Sequence, residues 1–221
     1  LPYIEIKDTF EEVINTFKQP GINISITPNI GIGSDPTIIE KMDADIIVAR
    51  GITARAISKS KPDSHIITIP IGTGDLFAAL SLAKNKSESC HIGIIINEKL
   101  CKSEELLSVI GCPVTVRTVQ DQKEVHDAVM SLKTLGCNVF VGGLTMTNIC
   151  KENSLEYVHI KTGYDAIVSA IRDSIDAAKS LERVKTRGNL LEVLLNNANY
   201  ALFAINSYGV VIAANNQATT L

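Results

Sequence analysis

The sequence predicts an α/β protein with two similar parallel-sheet lobes. Three observations lead to this prediction: short Ile/Val-rich segments alternate with helix-like segments, a motif recurs along the chain, and apolar residues suffice for a core. The 221 residues are 45% hydrophobic, with a mean hydropathy of +0.18. A net charge of −3 is too small for a disordered chain. The balanced charge also argues against a nucleic-acid or anionic-membrane surface in this segment.

Continuous apolar runs mark the strands. Runs that do not alternate with polar residues are typical of a parallel sheet covered on both faces. They lie at 22–27, 45–49, 66–71, 91–96, 114–119, 138–141 and 157–160. Helices are predicted between them at 9–18, 36–42, 54–60, 76–84, 103–110, 123–135 and 146–153, and from 164 onwards. Ser34-Asp35-Pro36 is a helix-start signal and Gly136 is a stop signal, while 31–33 predicts only a turn.

An internal repeat divides the α/β region into two lobes. Residues 41–57 align without a gap with residues 133–149. Each copy passes from a helix end through an apolar strand to a glycine turn, a threonine and a new helix. Extending the repeat backwards places the first strand at and before residue 4, so we expect the sequence to begin inside that strand. We predict two lobes of the Rossmann or flavodoxin-like type over 1–84 and 85–165, a connecting helix over 166–188, and a separate segment over 189–221.

The paired glycine turns are the candidate ligand site. In open parallel sheets, ligands bind beyond the carboxyl ends of the strands, where helix N-termini favour anions. The two copies are Arg50-Gly51-Ile52-Thr53 and Gly142-Gly143-Leu144-Thr145. The arginine occurs in one copy and can hold a carboxylate or phosphate with two donors. After the following strands come Gly72-Thr73-Gly74-Asp75 and Thr162-Gly163-Tyr164-Asp165, which we expect to line the same cleft.

Structural explanations of these residues stay open. The glycines could serve a tight turn alone, and Thr53 and Thr145 could be ordinary N-caps. The aspartates of the later turns could be first-turn acids or part of a capping box. Arg50 has fewer purely structural reasons to end a strand in a glycine turn. It is therefore the residue most strongly predicted to bind a ligand.

Cysteine and histidine usage points away from metal and disulfide chemistry. The five cysteines are an odd number without Cys-x-x-Cys spacing, which favours a reducing cytoplasm over a disulfide framework or a zinc site. The four histidines are scattered singly, so we expect ordinary partly buried side chains. No apolar run is long enough for a membrane span, and we expect no leader. We also expect no cofactor, no metal and no membrane partner.

One class of enzyme is excluded by the positions of the thiols. Two-lobed α/β racemases that need no cofactor resemble this layout, and their chemistry requires one thiol from each lobe. All five cysteines lie at or beyond Cys90, so the first lobe has none. We therefore expect a binding or sensing module rather than an enzyme.

The C-terminal residues predict a long helix and a hairpin. Apolar residues recur at three- and four-residue spacing from Ile167 to Val184, which is the helical period. We predict that this helix ends at Gly188 and that a second helix covers 190–197. The segments 201–206 and 210–214 flank Ser207-Tyr208-Gly209 as a hairpin. Because two strands alone are marginally stable, we expect further protein downstream.

Two stretches of the chain resemble known families. Residues 199–218 resemble the opening of a PAS domain. Residues 44–53, the strand that ends at Pro70-Ile71, and residues 75–80 resemble the sensory domain of propionate catabolism activators, most specifically through Arg50-Gly51-Ile52-Thr53. The sequence departs from the family pattern at Ile52, where a second small residue is common, and at 162–166, which replace a Ser-Gly-x-Glu-Ser-like turn. These departures leave the identity of the effector open.

This resemblance implies the signal-sensing region of a sigma-54-dependent transcriptional activator. In that family the lobes bind a small effector, such as 2-methylcitrate in the propionate regulators. A PAS domain, an AAA+ ATPase and a Fis-type helix-turn-helix follow in full-length members. The resemblance thus implies contacts with DNA and sigma-54 RNA polymerase only through domains that this sequence lacks.

These observations lead to one hypothesis and two alternatives. We expect a cytoplasmic, homo-oligomeric sensor that binds a small anionic metabolite, such as a di- or tricarboxylate, between the two glycine turns. Closure around the ligand would reposition the long helix. One alternative is a dimerisation scaffold that binds no ligand. The other is a cleft enzyme acting on a small organic acid, for which no nucleophile or base is evident.

Overall fold

A computed structural model describes residues 5–17, 44–97, 106 and 109–219. The chain forms two compact units, Leu1–Ser174 and Ile175–Leu221. The strand predicted at 22–27, the helix predicted at 36–42, and the signals at 31–36 lie outside the described residues, as does most of the helix predicted at 103–110.

The first part of the larger unit contains two parallel strands joined by a helix. Helix α1 (Glu5–Thr16) is followed in the described residues by strand β1 (Ile46–Arg50), helix α2 (Gly51–Ser60) and strand β2 (His65–Ile69). The two strands pair from Ile46 opposite His65 to Arg50 opposite Ile69. Every second residue of β1 is buried: Ile47 and Ala49 pack on Ala54 and Ile57 of α2.

The second part is a four-stranded parallel sheet in the order β4-β3-β5-β6. Its elements are α3 (Thr73–Lys84), β3 (Ile92–Ile96), β4 (Val114–Thr118), α4 (Gln122–Thr134), β5 (Val139–Gly142), α5 (Leu144–Glu152) and β6 (Glu156–His159). Every residue of the central strands β3 and β5 is buried, whereas the edge strands are partly exposed. Burial on both faces explains why the central runs are continuously apolar. The prediction of an α/β fold with parallel sheets is confirmed.

Helix α3 packs on the four-stranded sheet, although it follows β2 of the other sheet. Leu76, Leu80 and Ala83 lie in one core with Ile94 of β3 and Val141 of β5. The connection at 70–72 therefore crosses from one sheet to the other. The predicted boundary at residue 84 assigns this helix to the first lobe. Its packing instead places it against the four-stranded sheet.

Helix α6 (Tyr164–Asn196) is a single helix of 33 residues. The prediction that it ends at Gly188 and that a second helix begins at 190 is wrong. A Cβ at Gly188 would meet nothing within 4 Å, so this glycine is an exposed helical position that lowers helix propensity by about 1 kcal/mol without breaking the helix. The unit boundary falls inside α6, between Ser174 and Ile175.

The smaller unit ends in an antiparallel hairpin at the predicted positions. Strands β7 (Phe203–Ile205) and β8 (Val211–Ala214) pair with a register shift between Ala204 and Ile205, and a short helix α7 (Asn216–Thr219) follows. The Asn206 side chain closes the turn by accepting hydrogen bonds from Tyr208 N and Val210 N at 2.9 and 3.0 Å. Within the described part of the chain, no helix is both long and apolar enough to cross a membrane.

Candidate functional site

The first glycine turn connects β1 to α2 and places Arg50 at the helix start. Arg50 is the last residue of the strand and the N-cap of the helix, and its side chain makes no capping hydrogen bond. Gly51 has a φ of +56°, a left-handed conformation that glycine adopts at little cost. Thr53 lies inside the first helical turn, so it is not the N-cap.

The second glycine turn connects β5 to α5 with a different backbone conformation. Gly143 is the N-cap, with a φ of −81°, and no side chain caps the helix. Thr145 lies inside the first turn of this helix, so the N-cap explanation is wrong for both threonines. The two turns therefore share their place in the sequence pattern but differ in their backbone angles. We call them the Arg50 elbow (50–53) and the Gly143 elbow (142–145).

Both elbows line one pocket within the larger unit. Its cavity volume is about 120 Å³, and the cavity is partly open to solvent. The polar side chains that line it are Arg50, Thr53, Asn97, Thr145 and His159. Its apolar wall includes Ile71, Ile95, Ile96, Val119, Leu144 and Met146. The structure thus brings the two predicted elbows to one cavity.

Hydrogen bonds join four of the predicted residues, Arg50, Thr162, Gly163 and Asp75, which end or follow strands β1, β6 and β2. Arg50 Nη1 donates to Thr162 Oγ1 at 2.6 Å and to the carbonyl oxygen of Ile160 at 3.1 Å. Gly163 N donates to Asp75 Oδ2 at 2.9 Å. We call this set of contacts the crossover bracket, because it ties the segments after β1, β2 and β6 together.

The crossover bracket explains why residues 163 and 72 are glycines, because a Cβ at either position would come close to the Asp75 carboxylate. A Cβ at Gly163 would collide with the carboxylate of Asp75, so the close approach requires glycine. Gly72 is the N-cap of α3, where Asp75 is the first-turn acid. Asp75 therefore serves the helix start and the bracket together. Gly72, Thr73, Asp75, Gly142, Thr162 and Gly163 are not among the described residues that line the pocket.

Sequence reasoning missed His159, which ends β6 and lines the pocket. Burial and, to a smaller extent, the positive charges of Arg50, Lys161 and Lys151 together lower the pKa of its imidazole to about 4. The ring is therefore neutral at physiological pH, and an anion beside it would offset the positive neighbours that depress its pKa. We predicted an ordinary partly buried side chain for His159, and the structure places its neutral ring in the cavity wall.

Sequence reasoning also missed Asn97, the first residue after β3. It is 8% exposed and lines the pocket. Its backbone carbonyl accepts from Arg55 Nη2 at 2.8 Å, and its side-chain amide has no hydrogen-bond partner among the described residues. Its Oδ1 faces the Arg50 elbow, 3.4 Å from the place a Cβ on Gly51 would occupy. A polar amide at the end of a central strand is thus available to a ligand.

The electrostatics of the pocket favour an anion. The N-termini of α2 and α5 both reach it without a side-chain cap, and each carries roughly half a positive charge from its peptide dipoles. Arg50 adds a full charge. In residues 5–17, 44–97, 106 and 109–219, no three His, Cys, Asp or Glu side chains are grouped as a metal site requires.

Comparison with known proteins identifies the family. A family model described as propionate catabolism activator matches residues 36–184. The chain belongs to the propionate catabolism activator family. This membership confirms the predicted family resemblance and assigns the chain to transcription regulation by an activator.

A solved structure supports the fold. The chain is similar to the crystal structure of an NtrC family transcriptional regulator from Clostridium acetobutylicum, with a TM-score of 0.65 and 19% sequence identity. The similarity covers 79% of this chain and 91% of the other chain. A comparison with curated proteins finds no match.

Proposed function

We propose that this chain is the effector-sensing region of a sigma-54-dependent transcriptional activator, and that a small anionic metabolite binds between the Arg50 elbow and the Gly143 elbow. The observation that carries the proposal is that both elbows, one of them with a guanidinium, line a single cavity. Two uncapped helix N-termini and an arginine form an anion site from groups that the fold already supplies.

The crossover bracket provides a route from the pocket to α6. Arg50 lines the cavity and at the same time binds Thr162, two residues before α6 begins at Tyr164. An anion that draws the guanidinium towards the elbows changes the contacts of Thr162 and Ile160. A ligand shifts such an equilibrium only by its differential affinity for the two arrangements. In this proposal the effector favours the arrangement in which Arg50 contacts it.

The finer features of the hypothesis are part of the same proposal. Both sheets contain a strand, an elbow, a helix and a parallel neighbouring strand in the same order, which supports an internal duplication. The β7–β8 hairpin followed by a helix supports the opening of a PAS domain. The proposed role is binding without chemical turnover, within a homo-oligomeric cytoplasmic regulator that reaches DNA and sigma-54 RNA polymerase through other domains.

Calorimetric titration of organic acids into the wild type and two arginine variants tests the proposal. Arg50→Ala should weaken binding at least tenfold, which corresponds to about 1.4 kcal/mol, because a charge-assisted contact is lost. Arg117→Ala is the matched control, since Arg117 is an exposed arginine on β4 outside the pocket. Equal affinity for the wild type and Arg50→Ala would contradict the proposed site.

Thermal unfolding separates the sensor from the scaffold alternative. A bound effector at 100 times its Kd raises the free energy of unfolding by about 2.7 kcal/mol. A melting temperature that stays constant across a panel of metabolites would favour the dimerisation scaffold.

A further inference from the structure

We propose that the second half of helix α6 is a dimerisation surface, and that it pairs with the same helix of a second copy of this chain in a parallel, two-stranded coiled coil. The inference rests on the homo-oligomer of the proposed function, but it is independent of the effector pocket. Three observations support it: an apolar stripe with heptad spacing, the exposure of that stripe, and charges beside it that match in a parallel pair.

The stripe runs along the part of α6 that belongs to the smaller unit. It consists of Leu181, Val184, Gly188, Leu191 and Leu195. These residues follow one another at alternating intervals of three and four, which is the spacing of the a and d positions of a coiled coil. We call them the α6 seam. The residues at 182–183, 185–187 and 189 are all polar or charged, so over this stretch the stripe is as narrow as a coiled-coil seam.

The α6 seam is exposed in the single chain. Leu181 is half-buried, whereas Val184, Leu191 and Leu195 are exposed. A Cβ on Gly188 would meet nothing within 4 Å. Apolar side chains that are exposed one at a time are normal, but a contiguous exposed stripe marks an interaction surface. A second copy of this chain carries the same stripe, so a twofold dimer buries both stripes in one interface.

The charges beside the seam match in a parallel pair. With Leu181 at an a position, Arg187 is at g and Glu192 is at e of the next heptad. In a parallel coiled coil a g residue faces the e residue five positions further along the other helix, so each Arg187 faces the partner's Glu192. Within its own helix, neither residue has an opposite charge three or four positions away, the spacing at which side chains of one helix meet.

An antiparallel pair is less favourable in both of its alignments. If Val184 meets Gly188 of the other helix, Arg187 lies beside its own copy, which brings two like charges together. If Gly188 meets Leu191 instead, Leu181 lies opposite residues beyond the end of α6. The parallel pair in register has neither defect, because each seam residue lies opposite its own copy.

Sedimentation equilibrium of the full chain over a range of concentrations tests the surface. The wild type should form a dimer whose fraction rises with concentration. Leu191→Asp should raise the dimer Kd about tenfold or more, because it buries an unpaired charge in the seam. Leu190→Asp is the matched control: Leu190 is 57% exposed and Leu191 is 59% exposed, but Leu190 lies off the seam. Equal dimer Kd values for the two variants would overturn the proposed surface.

Exchange of the two charges tests the parallel orientation. Arg187→Glu and Glu192→Arg, each alone, place like charges opposite each other twice and should each raise the dimer Kd about threefold or more. The double variant that exchanges both residues should restore the wild-type Kd. An effect within one helix would not be restored, because residues five positions apart do not face each other. A double variant no better than the single ones would contradict the parallel register.

A residue that fills the seam provides a test by gain of affinity. Gly188 leaves a gap at an a position, where isoleucine favours two-stranded coiled coils. Gly188→Ile should therefore lower the dimer Kd about tenfold or more, since it buries an added apolar side chain in each copy. Thr186→Ile, which adds the same side chain on the opposite side of the helix, should leave the Kd unchanged. Equal effects of the two substitutions would refute the seam.

The outcomes separate this inference from the proposed function. If the wild type is monomeric at every concentration, the surface and the homo-oligomer of the proposed function are both contradicted. If the wild type is a dimer that Leu191→Asp does not weaken, the surface is wrong and the homo-oligomer stands. The effector pocket is tested separately, through the affinity of Arg50→Ala for organic acids.

Discussion

Replacement of Gly163 by alanine probes the crossover bracket directly. The backbone N–H of Gly163 donates to Asp75 Oδ2 at 2.9 Å, and a Cβ at this position would collide with the same carboxylate. In Gly163→Ala the Asp75 side chain must therefore rotate away. The hydrogen bond between Gly163 and Asp75 is then lost.

The size of the effect follows from two opposing contributions. A hydrogen bond to a charged group contributes about 1.5–3 kcal/mol, and the lower end applies because the pair is only partly buried. Alanine in place of glycine restores about 0.4–1 kcal/mol by restricting the unfolded chain. We expect a net loss of about 1 kcal/mol, which lowers Tm by about 2–4 °C for a chain of this length.

Thermal unfolding followed by circular dichroism measures the loss, with a matched glycine as the control. At Gly143 a Cβ would meet nothing within 4 Å and φ is −81°. Gly143→Ala should therefore be neutral or slightly stabilising. In the Asp75→Ala background, Gly163→Ala should cost nothing more, because its partner is already absent. The reasoning is refuted if Gly163→Ala destabilises equally with and without Asp75, or if it behaves like Gly143→Ala.

Three further predictions concern single residues. The pKa of His159 is about 4 in the folded chain and near the ordinary value of 6.5 in the unfolded chain, so unfolding takes up a proton between these values and stability should fall as pH falls through them. His159→Gln should remove this part of the pH dependence in denaturant titrations. Identical pH profiles of stability for the wild type and His159→Gln would count against this prediction. Gly51→Ala should lower the free energy of unfolding by about 1–2 kcal/mol, because the φ of +56° at this position is unfavourable for alanine. A loss no larger than that of Gly143→Ala would contradict the prediction. Gly188→Ala should stabilise α6 by about 1 kcal/mol, seen as slower amide hydrogen exchange around residue 188, and unchanged exchange would show that helix propensity does not limit this segment.

The strands were predictable because their burial leaves a simple signal. The five residues of β3 and the four of β5 are all buried, so both read as unbroken apolar runs. β2 ends at Ile69, two residues earlier than predicted. The next residue is Pro70, which has no backbone N–H to donate to a neighbouring strand. Apolar content alone cannot show where the hydrogen bonding stops.

Helix starts were predicted two or three residues late for a related reason. α2, α3 and α5 begin at Gly51, Thr73 and Leu144, whereas the prediction began each at its first regularly spaced apolar residue. The first turns contain glycine and threonine, which have low helix propensity. The first turns of α2 and α5 are nevertheless helical, and these helices begin within two residues of the ends of β1 and β5.

The site was predicted in part because repeats and strand ends can be identified in sequence, whereas contacts between distant segments cannot. The elbows were found from their glycines. Asn97 and His159 stand at the ends of β3 and β6, so applying the strand-end rule to every strand would have found them. No local pattern indicates that Asp75 meets Gly163, because 88 residues separate them and the contact depends on a helix that crosses to the other sheet.

The central claim is that one ligand contacts both elbows. Backbone amide chemical shifts of the isotopically labelled chain, recorded while the organic acid that binds most tightly in the calorimetric titrations is added, test this most directly. The account predicts saturable shifts with one common affinity at Gly51–Thr53 and at 144–146. Shifts confined to one elbow, or shifts at the two elbows with different affinities, would contradict it.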